Sequence, residues 1–362
     1  MVCDFSRQMT RPVTSIDIAR RAGVSRATVS AVLNNRHALR ISAKTKIRVL
    51  AAAQGLGYVP NSAAQMLVSG KSRTLGLILS RPDLLRVDAF APRLILGVGR
   101  VCDQRGYKLL IEVPERPITS DDYVALAGSK RIDGLVVFNP QPGDKGLIKL
   151  IESGFPVIVS GSIGHQDENS VGTPNKTAAR TATRHLISLG HKRIAHIPFA
   201  SLTYSGASDR FAGYRLALRS AKLKYDEQLF EPADFSAQSG YDAMKRILSR
   251  RRTLTALFAG NDTIALGAMA ALREKGLRIP EDVAVVGYDN LANAQFAYPP
   301  LTTIDSHAVE QGELVAFAAL ALMDGETVGS QQDLMKLNLI VRESCGANLR
   351  KSAPTQSSLR PD

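Results

Sequence analysis

The sequence predicts a two-part chain: an N-terminal all-α helix-turn-helix headpiece, and behind it a C-terminal α/β core of two lobes built on parallel sheets. Three observations predict it. Two short helix-forming runs meet at a glycine within 14–34, apolar runs rich in branched residues alternate with helical segments from residue 74 onward, and basic charge collects ahead of that change. A chain of 362 residues also exceeds one ordinary core, so two or three domains are expected.

The stretch 14–34 reads TSIDIARRAGVSRATVSAVLN. Thr14 followed three residues on by Asp17 is a capping-box start, and Ile18, Ala19 and Ala22 recur at helical spacing. Gly23 offers the left-handed conformation that ends a helix, and Ser25 caps a second run carrying Val29, Val32 and Leu33. Small Ala19 lets the helices approach while Val24 and Val29 fill the space between them, as in a helix-turn-helix. Arg26, Ala27, Thr28, Ser30 and Ala31 are then expected to point outward. Thr14, Ser25, Thr28, Ser30 and Asn34 suit contacts to DNA phosphates, and Arg26, Ala27 and Ala31 suit base edges in the major groove. A plain corner between two helices would share the spacing.

Charge favours the nucleic-acid reading. Residues 1–73 hold twelve Lys and Arg against Asp4 and Asp17, so ten of the thirteen net positive charges sit on this head and the rest is near neutral. After the polar loop NNRHALRI, Ser42 caps a third helix to about Leu56, with Ile47, Leu50, Ala51 and Ala53 as its expected buried stripe. The run NSAAQMLVSG opened by Pro60 and Asn61 is helix-forming but too short to be stable alone, because nucleation costs more than so few hydrogen bonds return.

From Thr74 the period changes. TLGLILS, YKLLIEV, IDGLVVF, FPVIVSG, RIAHIPF, LTALFAG and VAVVGYD read as buried strands, mostly separated by helical segments, which is the signature of parallel sheets covered on both faces. There are too many for one sheet, so a division near Val171 is expected.

The quoted helix-turn-helix, together with LAAAQGLGYVPNSAAQMLVSGKSRTLGLIL, resembles the amino-terminal signature of the lactose/galactose-repressor (LacI/GalR) family of bacterial transcriptional regulators, and the match runs nearly to the chain's end. The resemblance implies a periplasmic-binding-protein-like core and a hinge helix that pairs with its symmetry mate. That helix pushes a leucine, here Leu67, into the minor groove at the operator centre, with Asn61 beside the DNA. The implied division is a flexible arm at 1–11, a DNA-binding domain at 12–59, a hinge and linker at 60–73, a core at 74–346 and a polar tail at 347–362. Lobe 1 covers about 74–171 and 305–332, and lobe 2 about 172–296 and 333–346.

Ligands in such folds sit at the carboxyl ends of strands between lobes. By resemblance the effector-binding candidates are Phe90, Arg210, Phe235, Asn261 and Asp289: an arginine, an amide and a carboxylate against an aromatic wall, suited to a polar, hydroxylated ligand. Each has a plainer reading. Asn261 is placed to cap a helix, Asp289 to anchor a turn, Arg210 to bridge the lobes, and the two phenylalanines to fill core. Four departures alter the picture: Ala31 stands where many members carry a guanine-reading arginine, Gly161 where a sugar-binding aspartate is frequent, Pro174 replaces a common aspartate, and Asn290 follows Asp289 where another aspartate is usual.

The expected function is a repressor acting as a homodimer on double-stranded operator DNA under control of a small-molecule effector, in the cytoplasm. No apolar run is long enough for a membrane span and no secretory signal is visible, so no membrane partner is expected. Cys3, Cys102 and Cys345 lack metal or disulfide spacing, and the LGVGR glycines Gly97 and Gly99 only echo a dinucleotide loop. Neither cofactor nor enzymatic activity is expected.

Overall fold

The computed structural model describes residues 11, 13–33, 41–59, 66–67, 69–81, 84–113, 116, 118–250, 253–331 and 335–347. The chain forms two compact units, Met1–Ser72 and Arg73–Asp362.

In the first unit three helices pack together: α1 Ser15–Ala22, α2 Arg26–Leu33 and α3 Ala43–Gly55. The Thr14 amide and hydroxyl both donate to the Asp17 carboxylate, at 2.9 and 2.6 Å, which fixes the start of α1. Gly23 ends that helix at φ 63°, and the Ser25 hydroxyl accepts from the Thr28 amide at 3.1 Å to begin α2. Ser42 caps α3 in the same way through the Thr45 amide. Ile18, Ala22, Val29, Val49, Ala52 and Ala53 form the small core, with Ala19, Val24, Val32 and Leu33 half-buried around it.

Two expectations are corrected here. The buried stripe of α3 runs through Val49, Ala52 and Ala53, while Ile47 and Leu50 are 68% and 52% exposed and Ala51 is exposed as well. Side-chain bulk suggested Ile47 and Leu50, but helical position decides, and the smaller residues allow α3 close to α1. Ala31 is also not outward: it is 3% exposed, so its methyl cannot reach a thymine methyl.

The second unit contains both sheets. Lobe 1 has β1 Thr74–Leu79, β2 Lys108–Glu112, β3 Gly134–Phe138, β4 Val157–Ser160, β5 Ser170–Val171 and β10 Ser330–Gln331, in the order β10-β5-β4-β3-β1-β2 and parallel throughout. Leu77 of β1 lies opposite Ile111 of β2 and Val136 of β3, in a run buried on both faces. Its helices are α4 Leu84–Val87, α5 Phe90–Gln104, α6 Ser120–Gly128, α7 Lys145–Glu152 and, returning late in the chain, α12 Ala308–Met323.

Lobe 2 has β6 Ile194–Ile197, β7 Ala256–Ala259, β8 Ala284–Tyr288, β9 Thr302–Asp305 and β11 Asn338–Ile340, in the order β11-β9-β8-β7-β6. Only β11 runs antiparallel, against β9. Helices α8 Asn175–Ser188, α9 Ser205–Ser220, α10 Ala237–Ser249 and α11 Asp262–Glu274 cover the sheet. The expected second crossing near residue 296 is corrected: β9 pairs with β8, so the chain leaves lobe 2 only after Asp305. Hydroxyl-rich TTID hid this strand from a reading based on apolar runs.

Two packing features define the core. A Cβ on Gly97 would lie 1.9 Å from the Val309 carbonyl oxygen, and one on Gly312 would lie 2.1 Å from that of Leu94, so α5 and α12 meet backbone to backbone. The glycine of LGVGR is therefore a helix contact. In lobe 2, fully buried His196 stacks on Tyr214 and Phe258 at 5.0 and 4.9 Å, and its Nδ1–H donates to the Phe258 carbonyl at 2.8 Å. Nε2 has no partner, and burial pushes the imidazole down to about 4.

Gly97→Ala is expected to destabilise the core by about 3 kcal/mol, read as a lowered urea midpoint, because the methyl would meet fixed backbone. A second expectation concerns acid. Since folding depresses the His196 pKa, its stabilisation is complete above the unfolded value of about 6.5 and is lost as pH falls toward 4, amounting to about 3 kcal/mol. Urea melts of His196→Phe should show a shallower loss between those pH values than the parent; equal slopes would contradict this.

Candidate functional site

The headpiece presents one chemical character. Arg20, Arg21, Arg26, Lys44, Lys46 and Arg48 are exposed, whereas Asp17, the one acid among the unit's described residues, is occupied by Thr14. Along α2, Arg26 and Ala27 are exposed and Thr28 and Ser30 half-buried, with Val29 between them turned fully inward. Ser25 and Thr28 share a 2.9 Å hydroxyl contact at the start of this helix. Thr14 is half-buried and its hydroxyl is committed to Asp17. Asn34 and Asn61 lie outside the described residues. Leu67 is 87% exposed and helical, and the Gly70 amide reaches the Met66 carbonyl at 2.8 Å.

In the core, a cleft opens at the carboxyl ends of β3, β4, β6, β7 and β8, the place where small molecules bind in such sheets. All five sequence candidates line it. Phe90 begins α5 and stacks on Phe138 at 6.0 Å and 16°. Phe235, held at φ 58°, is buried and meets Phe199 and Tyr204 edge-on at 5.4 and 5.6 Å. Asn261 follows β7 and accepts the Ile264 amide at 2.8 Å, so it caps α11 and lines the cleft at once.

Arg210 is the centre of the floor. Its Nε donates to Asn175 Oδ1 at 2.8 Å, its Nη1 donates to the Gly260 carbonyl, and its Nη2 lies 3.8 Å from Asp289 Oδ1. The guanidinium carbon sits 3.5 Å from the Tyr288 ring centre and 4.7 Å from that of Phe199. Asp289 is 3% exposed at φ 110°, and its Oδ1 has no hydrogen-bond partner. Burial raises its pKa well above the usual carboxylate range, with Arg210 opposing and Asp262 and Asp88 adding to the rise. Asp88, from lobe 1, is pushed up to about 6 by burial, although it accepts the Phe90 amide at 3.0 Å. Asp262 behind the site is structural: it accepts Thr303 Oγ1 at 2.6 Å and the Leu291 amide at 2.8 Å.

The lobes touch around this cleft. Arg93 of α5 donates to the Asp289 and Asn290 carbonyls at 3.1 and 3.3 Å, Gln141 reaches Tyr204 at 3.3 Å, and Arg81 pairs with Asp234. Asp88, two residues before Phe90, lines it too, as do Asn175, Asp209 and Gln311, which were not sequence candidates. Position beside known candidates, as for Asp209 next to Arg210, was the only signal for some of them. Among the described residues no group of His, Cys, Asp or Glu is arranged to hold a metal, and no helix is long and apolar enough to cross a membrane.

Residues 16–61 match the family described as bacterial regulatory proteins, lacI family, and residues 183–345 match a periplasmic binding protein-like domain. The transcriptional regulator CelR of Thermobifida fusca is 34% identical over 90% of this chain and 96% of its own length. The transcriptional repressor PurR of Haemophilus influenzae is 32% identical over 87% of this chain and 93% of its own. A Lac repressor dimer bound to operator and the anti-inducer ONPF superposes with a TM-score of 0.80 at 31% identity, covering 92% of this chain and 99% of that one. A CelR–cellobiose complex gives 0.70 at 33%, covering 92% and 100%. With the three-helix headpiece and the two-lobed core in one chain, these similarities show that the protein belongs to the lacI family of bacterial regulatory proteins.

Proposed function

We propose that this protein is a cytoplasmic repressor that binds a pseudo-palindromic operator as a homodimer and releases or tightens on it when a polar, hydroxylated metabolite occupies the cleft. The observation that carries the DNA half is the outer surface of α2, where Arg26 and Ala27 are exposed over buried Val29 on a headpiece rich in exposed cations. Ser25, Thr28 and Ser30 are its phosphate contacts in this reading, whereas the Thr14 amide and hydroxyl are both already given to Asp17. The operator-bound Lac repressor dimer and the cellobiose-bound CelR support duplex DNA and a small ligand as partners.

Control works by linkage. Ligand bridging Arg210, Asn261 and Asp289 of lobe 2 to Phe90 of lobe 1 biases the lobe arrangement. That bias changes the cost of folding the short connector around Leu67 on DNA. An exposed leucine next to a marginal helix is apt for insertion at a base step, since its apolar surface gains by leaving water.

Leu67→Ala is expected to weaken operator binding about tenfold or more while leaving random-sequence binding and Tm unchanged, measured by competition titration. Equal losses on both DNAs would count against it. Arg210→Ala should abolish the ligand response and spare operator affinity; a retained response would remove Arg210 from the pocket.

A further inference from the structure

The ionisable side chains lining the cleft are Asp88, Asp209, Asp289 and Arg210. They come from both lobes: Asp88 precedes α5, while Asp209 and Arg210 lie on α9 and Asp289 follows β8. The single cation among them is already engaged by Asn175 and the Gly260 carbonyl, by its place between two aromatic rings and by its ion pair with Asp289. Asp289 lines the cleft, and its Oδ1 is fully buried and accepts no hydrogen bond, Arg210 Nη2 standing off at 3.8 Å. A buried carboxylate oxygen without a hydrogen bond costs free energy until a donor reaches it.

We propose that the cleft takes a small hydroxylated amine, of the amino-sugar class, whose ammonium group lies between Asp88 of lobe 1 and Asp289 of lobe 2. This rests on the regulator reading above and names the ligand class for the same site. An anion is disfavoured by three carboxylates against one committed guanidinium. The remaining polar lining, including Asn139, Ser160, Thr173 and Gln311, is neutral and suits hydroxyls, and stacked Phe90 and Phe138 offer ring faces to the ligand's apolar face and its cation.

Asp289 is faced by Arg210 from α9, Asp262 from the start of α11 and Asp88 from lobe 1. Arg93 of α5 donates to its carbonyl, and Ser306 does so at 3.4 Å. Burial and the Asp262 and Asp88 carboxylates raise the Asp289 pKa, while Arg210 lowers it. An entering ammonium favours the ionised Asp289 carboxylate, so a proton held there by the raised pKa passes to buffer as the pair forms. A neutral ligand has no such effect.

The test is titration calorimetry of the full chain at pH 7 with matched probes: D-glucosamine against D-glucose, and the β-1,4-linked glucosamine disaccharide against cellobiose. Expected is at least one amine binding about tenfold tighter than its neutral counterpart, with a heat that depends on the ionisation enthalpy of the buffer. Asp88→Asn, with Tm and DNA binding retained, should reduce that preference to within about threefold. Neutral sugars binding as tightly as the amines, no amine binding, or a buffer-independent heat would overturn the proposal. If a selected DNA duplex is still held specifically, that failure touches only the ligand class; if no duplex is preferred, the regulator reading itself fails.

Discussion

The guanidinium of Arg210 is the constraint on which the cleft depends. A buried cation must find acceptors, and here it takes an amide oxygen from α8, a carbonyl from the turn after β7, the carboxylate after β8 and the faces of two rings. Separate segments at the strand ends are thereby tied to one point. The same tie leaves Asp289 half-satisfied, in a left-handed backbone conformation that non-glycine residues adopt at a cost. Such a site is poised: it holds its shape when empty and gains when a donor arrives.

Lobe 1 reaches this point by other means. Phe90 and Asp88 stand at the start of α5, and α5 is locked to the returning α12 through Gly97 and Gly312. Arg93 on the same helix grips the carbonyls after β8. Rigid packing behind α5 and polar contact in front of it mean that a change in the cleft is felt by a whole helix pair, not by one loop. Coupling free energies of about 1–3 kcal/mol suffice to alter DNA affinity five- to 150-fold, within reach of one or two hydrogen bonds formed in a single lobe arrangement.

Much of this was legible in the sequence because local chemistry and final structure agree. Thr14 with Asp17, Gly23 and Ser25 specify the helix-turn-helix, and the structure uses each as the spacing implies. Strands recognised by branched apolar runs are parallel strands of the two sheets, buried apart from β2 at the edge of its sheet. What escaped notice lacked that agreement. β9 and the two-residue β5 and β10 carry hydroxyl or mixed residues, and their pairing is set by partners far along the chain. In α3, Ile47 and Leu50 are more hydrophobic than Ala52, yet point to solvent because the helix is seated by small residues. Within the cleft, resemblance supplied Arg210 and Asp289, whereas Asn175 and Asp209 are recognisable only once folding brings distant segments together.

The central claim is that the basic headpiece reads duplex sequence. Its most direct measurement is selection of bound duplexes from a random pool, followed by competition of the winners against random DNA at physiological salt. A preference of at least about a thousandfold, for a sequence with two-fold symmetry, is the expected result. Equal affinity for winner and random competitor would contradict it.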